Sequence, residues 1–127
     1  MSRYVPQTIN LRKKSKRLEL AYADGKSWQL SCEYLRVFSP SAEVQGHGEG
    51  QDVLQVGKIN VAIKAIEAVG NYAIKLVFDD GHDSGIYTWE YLRELGEKQE
   101  ENWNDYLSRM DEAGQARDPD VSVVRLL

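Results

Sequence analysis

The chain has 127 residues, of which 42% are hydrophobic and 28% charged, and its formal net charge is −4. This length allows one domain with a buried core and is too short for two ordinary ones. The acidic balance argues against a nucleic-acid partner, because binding phosphate groups requires a basic surface.

Cysteine content and hydropathy bear on the compartment. The one cysteine, Cys32, excludes an internal disulfide and fits a reducing environment. No apolar run approaches the roughly 18 residues of a membrane span, and no signal-peptide pattern follows Met1. We therefore expect a cytoplasmic protein with no membrane partner, in which the basic run 12–17 forms a solvated edge or loop.

A first β-hairpin is predicted over residues 17–31. Apolar and polar residues alternate on both sides of Asp24-Gly25, which is a strong turn dipeptide. Ser31 is a suitable N-cap for a short helix directly after the second strand. Residues 1–8 are expected to be a flexible lead-in.

A second, similar unit is predicted further along the chain. Residues 58–69 alternate in polarity but change parity near Lys64-Ala65, which indicates a β-bulge. The strand that follows ends at the turn dipeptide Asp80-Gly81. Thr88 can then cap a second helix.

These two units resemble each other in sequence. Residues Glu19–Ser27 match the pattern of Lys75–Asp83, and Ser31–Arg36 matches Thr88–Arg93, including an identical Glu-Tyr-Leu-Arg. An internal duplication is the favoured explanation. We therefore hypothesise two hairpin units that pack around a pseudo-two-fold relation.

The last third of the chain is predicted to be helical. Apolar residues from Trp89 to Leu95 share one helical face, which Gly96 is expected to interrupt, and residues 103–110 form a second amphipathic helix. The predicted fold class is α+β, a small β-rich domain of antiparallel hairpins with a C-terminal helical segment. The domain is assigned to residues 9–113, and residues 114–127 are expected to be a flexible tail.

The two histidines are the obvious candidates for chemistry. His82 lies in a turn between Asp80 and Asp83, whose carboxylates would favour its cationic form. It could be a metal ligand, a general base, or a polar turn residue that hydrogen-bonds a backbone carbonyl. His47, in a glycine-rich loop, is expected to be solvent-exposed, and Cys32 to be a small buried residue.

Motifs that carry catalysis are missing from the sequence. It contains no phosphate-binding glycine loop, Gly-x-Ser-x-Gly, Cys-x-x-Cys or His-Glu-x-x-His pattern. We therefore expect a protein that is not an enzyme. An enzymatic alternative would use His82 as a base beside Ser84.

Two segments carry a resemblance to a known family. Residues 34–44, Tyr-Leu-Arg-Val-Phe-Ser-Pro-Ser-Ala-Glu-Val, and residues 79–92, which contain Asp-Gly-His-Asp-Ser-Gly-Ile-Tyr, are similar to the gamma-butyrobetaine hydroxylase-like N-terminal domain, the DUF971 family. The resemblance covers about residues 9–113. In the hydroxylases this domain precedes an iron- and 2-oxoglutarate-dependent catalytic domain, which would require further residues.

The resemblance also implies a position for a zinc site. In the hydroxylases, three cysteines and one histidine bind structural zinc. Carried over to this chain, the cysteine positions fall on Ser39, Ser41 and Val44, and the histidine on His82. Because serine and valine cannot replace thiolates, we expect no tightly bound zinc and no other cofactor. A weak divalent-metal site that uses His82 with Asp83 or His47 is the alternative.

The family context suggests an accessory role. The resemblance implies stand-alone bacterial members and fusions to iron–sulfur carrier proteins. We therefore expect a non-catalytic protein-interaction domain whose partner is an iron–sulfur assembly factor or a metalloenzyme. The alternative hypothesis is a metal-binding protein centred on His82.

Overall fold

Each half of the chain folds into a three-stranded antiparallel sheet followed by a helix. The structure is a computed structural model that describes residues 4–46 and 52–124. The strand orders are β1-β2-β3 and β4-β5-β6, which confirms the predicted α+β domain of antiparallel hairpins. The elements are β1 (Thr8–Arg12), β2 (Arg17–Ala21), β3 (Ser27–Ser31), α1 (Cys32–Val37), α2 (Ala42–Gln45), β4 (Ile63–Val69), β5 (Ala73–Phe78), β6 (Ile86–Thr88), α3 (Trp89–Glu97) and α4 (Gln99–Glu112).

The predicted helix caps and the predicted bulge are confirmed. The Tyr34 backbone N–H donates to Ser31 Oγ at 3.0 Å, and the Tyr91 backbone N–H donates to Thr88 Oγ1 at 3.1 Å. Each bond satisfies a helix-start donor that has no partner inside its helix. The pairing of β4 with β5 shifts register between Ile63 and Ala65, as the change of parity predicted.

Helices α1 and α3 each form an ion pair with a turn of the other unit. Arg36 Nε of α1 lies 2.8 Å from Asp80 Oδ2 in the turn after β5, and Arg93 Nη2 of α3 lies 2.7 Å from Asp24 Oδ2 in the turn after β2. Each arginine therefore reaches the Asp-Gly turn of the other unit. This crossing has the reciprocity that a pseudo-two-fold relation requires.

The tyrosines of the two Glu-Tyr-Leu-Arg segments cross in the same way. Tyr34 donates its hydroxyl hydrogen to the Leu95 carbonyl at 2.7 Å, and Tyr91 donates to the Phe38 carbonyl at 2.6 Å. In each case the acceptor lies four residues after the equivalent tyrosine of the other unit. This second reciprocal pair supports the duplication hypothesis.

The main apolar core draws on both units, and a smaller cluster forms where α4 packs on Val37. The fully buried members of the main core include Leu18 and Leu30 from the first sheet and Leu76, Phe78 and Tyr87 from the second. Neither three-stranded sheet could bury this apolar face alone, since so small a sheet needs a packing partner. The crossed polar contacts therefore border an apolar core shared by both units.

The expected interruption of the helix falls at Lys98 and not at Gly96, because α3 continues to Glu97 and α4 begins at Gln99. A Cβ atom at Gly96 would lie only 2.6 Å from Cδ2 of Trp28. Glycine at this position allows the indole ring to pack directly against the helix backbone, and does not mark a break.

Contacts of the domain extend beyond both predicted boundaries. Thr8 is already part of β1. After α4, the Gly57 N–H donates to the Ala116 carbonyl and the Ile59 N–H to the Arg117 carbonyl, both at 3.0 Å. Part of the predicted tail therefore lies against residues 57–59.

The ionised form of the Asp80 carboxylate is strongly stabilised in the folded protein. Burial alone would raise its pKa, but hydrogen bonds from Lys58, the His82 backbone and Arg36 outweigh burial and lower the pKa to about 2. Because the folded pKa lies below the unfolded value of 3.8, the stabilisation is present above that pH. It is lost as the pH falls towards 2.

Replacing this carboxylate tests the crossed pair. Asp80→Asn should lower the free energy of unfolding by about 2 kcal/mol at pH 7 and flatten its acid dependence between about pH 4 and 2. Asp24→Asn is the matched control, because Asp24 occupies the equivalent position with its side chain 51% exposed. Asp24→Asn should lower the free energy of unfolding much less than Asp80→Asn does. Urea unfolding of both variants measures the difference, and equal losses would contradict the inference.

Candidate functional site

The four positions that the resemblance singles out meet at one buried corner. Ser39, Ser41 and Val44 lie before and within α2, and His82 follows the Asp80-Gly81 turn. All four are buried, and Ser39 has no exposed surface. The loop into α2 and the turn after β5 therefore bring together residues about forty positions apart in the chain.

His82 is hydrogen-bonded through both ring nitrogens. Its Nε2 lies 2.8 Å from Ser39 Oγ, and its Nδ1 lies 3.2 Å from Glu43 Oε2. The alternative in which His82 bonds a backbone carbonyl through its side chain is therefore replaced by two side-chain partners. Burial lowers the pKa of His82, and the charge of Arg36 lowers it further, which outweighs the opposite effect of Glu43.

The serines complete a closed polar network. The Ser41 backbone N–H donates to Ser39 Oγ at 3.3 Å, and Ser41 Oγ lies 2.8 Å from Ser84 Oγ. Gly85 packs directly against Ser39 Oγ, where a Cβ atom would collide. Buried polar groups that satisfy one another in this way stabilise a single arrangement of the loops.

This corner does not fit the zinc site of the family. Two of the positions supply hydroxyl groups and Val44 supplies no donor at all, whereas structural zinc takes thiolate and imidazole ligands. Within residues 4–46 and 52–124, no three His, Cys, Asp or Glu side chains are grouped to hold a metal ion. Asp83 is exposed, and His47 lies outside the described residues.

Sequence reasoning missed Glu43 as the partner of His82. A signal for it was present, because Ser41 caps α2 and places Glu43 in the first turn. What the pattern did not contain was the direction of the carboxylate towards a turn 39 residues later. That contact depends on how the loop into α2 meets the turn after β5.

Ser39, His82 and Glu43 have the order of a nucleophile, base and carboxylate, but their surroundings do not suit catalysis. The enzymatic alternative paired His82 with Ser84, and the structure instead places Ser39 against the imidazole. A serine with no exposed surface cannot meet a substrate carbonyl. The side chain of Glu43 is 69% exposed and therefore well solvated.

Cys32 is 1% exposed, which confirms the prediction of a small buried residue. Burial raises the pKa of its thiol. A thiol in that state is a poor nucleophile. In the part of the chain that the structure describes, helices long and apolar enough to cross a membrane are absent.

Comparisons with known proteins identify a matching family model and similar solved structures. The family model described as "Gamma-butyrobetaine hydroxylase-like, N-terminal" matches residues 9–93. A solution NMR structure with 54% sequence identity covers 97% of each chain with a TM-score of 0.83. A second NMR structure, 46% identical, covers 97% of this chain and 93% of its own with a TM-score of 0.76.

A crystal structure adds a family assignment. It is a DUF971-family protein of unknown function from Acidithiobacillus ferrooxidans, 38% identical to this chain. The match covers 74% of this chain and 94% of that one, with a TM-score of 0.62. No curated protein matches.

Restoring thiolates should create a zinc site at the corner. The variant Ser39→Cys/Ser41→Cys/Val44→Cys places three thiols near the His82 imidazole, and we expect it to bind one Zn²⁺ or Co²⁺ tightly, whereas the original chain should not. Cobalt absorption bands typical of tetrahedral thiolate coordination are the measurement. Adding His82→Asn should weaken binding at least tenfold. A triple variant that binds no better than the original chain would refute the assignment.

His82 should make stability depend on pH between 7 and 5. Its folded pKa lies below the ordinary value of 6.5, so the unfolded chain takes up the proton first as the pH falls. The free energy of unfolding should therefore decrease from pH 7 to pH 5. His82→Gln should flatten this dependence in urea titrations, and His47→Gln, the change at the other histidine, should not. The same slope in both variants would exclude His82 as the cause.

Proposed function

This chain belongs to the gamma-butyrobetaine hydroxylase-like N-terminal (DUF971) family, and from that premise we propose that it is a non-catalytic accessory domain that binds a protein partner. The partner proposed is an iron–sulfur assembly factor or a metalloenzyme of the cytoplasm. The family context described above supports this class of partner. The closed network around His82 supports a structural role for the corner.

The observation that carries the proposal is a cluster of exposed aliphatic residues on two irregular segments. Ten large hydrophobic residues of the described chain are exposed, and six of them lie in segments 52–59 and 115–124. They are Val53, Val56, Ile59, Val121, Val123 and Val124. Grouped apolar exposure of this kind is typical of a protein-interaction surface.

The two segments lie side by side. Besides the backbone bonds to Ala116 and Arg117, a Cβ atom at Gly57 would lie only 3.4 Å from Cβ of Pro119. Two residues beyond, Val121 is 52% exposed, and Val124 reaches 77%. We call these two segments together the apolar surface. Covering it would contribute roughly 25 cal/mol for each Å² of apolar area removed from water.

Photo-crosslinking tests the partner. A benzoylphenylalanine at Val121 should capture one protein in the cells that make this chain, because the side chain lies within the apolar surface. The same group at Ala68, an exposed position in β4, is the matched control and should capture none. Identical crosslinked products from both positions would show that the apolar surface is not the binding site. A captured protein that handles neither iron–sulfur clusters nor metals would refute the proposed class of partner.

The captured partner then allows a quantitative test. With both proteins purified, Val121→Asp/Val123→Asp should weaken binding at least tenfold, because two charges would be buried in an apolar contact. The melting temperature of the variant should stay unchanged, since both side chains are exposed. An unchanged Kd would exclude the apolar surface as the interface.

A further inference from the structure

A cavity of about 560 Å³ is lined by residues of both units. The β1–β2 turn, the start of α1, residues 59–61, the start of α4 and Arg117 all contribute to its lining. Its volume is in the range of small-molecule sites. The residues of the His82 corner do not line it, and it shares only Ile59 and Arg117 with the apolar surface.

Cations without carboxylate partners line one side of this cavity. The Lys16 ammonium donates to the Asn60 backbone carbonyl at 2.9 Å. The backbone of Arg17 pairs in the first sheet, but its side chain has no hydrogen bond or ion pair with any other residue in the described ranges 4–46 and 52–124. The buried carboxylate of Glu33 is already paired with Arg117, at 2.6 and 2.8 Å. Glu100, which is exposed, is the other acidic residue of the lining.

Two adjacent uncompensated cations are notable in a chain of net charge −4. Positive charge at the edge of a concave site attracts anions more strongly than the same charge on a flat surface. The cavity therefore suits a ligand with at least one negative group near Lys16 and Arg17.

The backbone at Lys16 points to the same conclusion. Lys16 has φ of 54°, and it is the one non-glycine residue of the described chain with positive φ. This left-handed conformation is unfavourable for an L-residue because of its Cβ atom, and glycine avoids the strain. A lysine in a turn position that favours glycine is explained if its side chain has a role at the cavity.

Other residues of the lining carry flat groups. The Arg117 guanidinium lies 5.1 Å from the ring centroid of Trp103, and Trp103 is partly exposed. Tyr34 packs edge-on against the same indole at 6.2 Å. The indole also packs against Tyr106, with ring centroids 5.1 Å apart and planes inclined by 32°. The guanidinium plane of Arg117 over the indole is therefore the stacking surface for a planar ring.

We propose that this cavity binds a small organic anion with a flat ring, of the chemical class of a nucleotide. Lys16 and Arg17 hold the phosphate groups, and Trp103 with Arg117 stacks on the base. The site borders the apolar surface, with which it shares Ile59 and Arg117, but it does not depend on the partner proposed above.

Titration with ADP tests the site. In ¹H–¹⁵N spectra we expect saturable shifts of the Trp103 indole N–H and of the Lys16 and Arg17 amides, with affinity that falls as salt is added. Adenosine and pyrophosphate should each bind at least tenfold more weakly than ADP. Pyrophosphate binding as tightly as ADP would refute the role of the ring. An absence of saturable shifts at millimolar ADP would refute the site.

Variants separate binding from folding. Lys16→Gly should weaken ADP binding at least tenfold. The melting temperature should stay equal or rise, because glycine adopts this backbone conformation without strain. Lys14→Gly removes the same charge from the same turn outside the cavity lining, and it should change affinity less than threefold. Equal losses from the two variants would show general electrostatic attraction and overturn the proposal.

Discussion

The crossed pairing of Arg36 with Asp80 and of Arg93 with Asp24 is the constraint on which the arrangement of the two units depends. Both arginines are less than a tenth exposed, and a buried guanidinium without a carboxylate is costly. Separating the units would leave Arg36 without its carboxylate and would leave Arg93 only the longer contact with Glu97 of its own helix, at 3.5 Å. The shared apolar core supplies the driving force, and the crossed pairs select the relative orientation.

The two copies differ most at their Asp-Gly turns. In the first unit the position after the glycine is Lys26, which is exposed, and in the second it is His82, which is buried. The cause is the segment between the copies, which has no equivalent in the repeat. It supplies Ser39 and Glu43 to His82 and Lys58 to Asp80. The buried corner therefore arises where non-repeated chain covers one of two equivalent turns.

Local rules explain what could be predicted from the sequence. The caps at Ser31 and Thr88, the bulge at Ile63–Ala65 and the amphipathic helix α4 depend on neighbours within a few residues, so their signals lie in short patterns. The identical Glu-Tyr-Leu-Arg segments also indicated two similar units. The long-range partners of these segments could not be predicted. Glu33, for example, pairs with Arg117, which lies 84 positions later in the chain. No local pattern determines such a contact.

The contrast between the repeated and the non-repeated parts of the chain also bears on function. Chain symmetry accounts for the core and the crossed pairs, whereas segment 52–59 and residues 115–124 lie outside both copies of the repeat. These non-repeated parts build the apolar surface and contribute Ile59 and Arg117 to the cavity beside Lys16. A duplicated core can remain rigid while added segments acquire binding roles, since they carry less of the folding free energy. The features that we propose for binding are therefore those that the duplication does not explain.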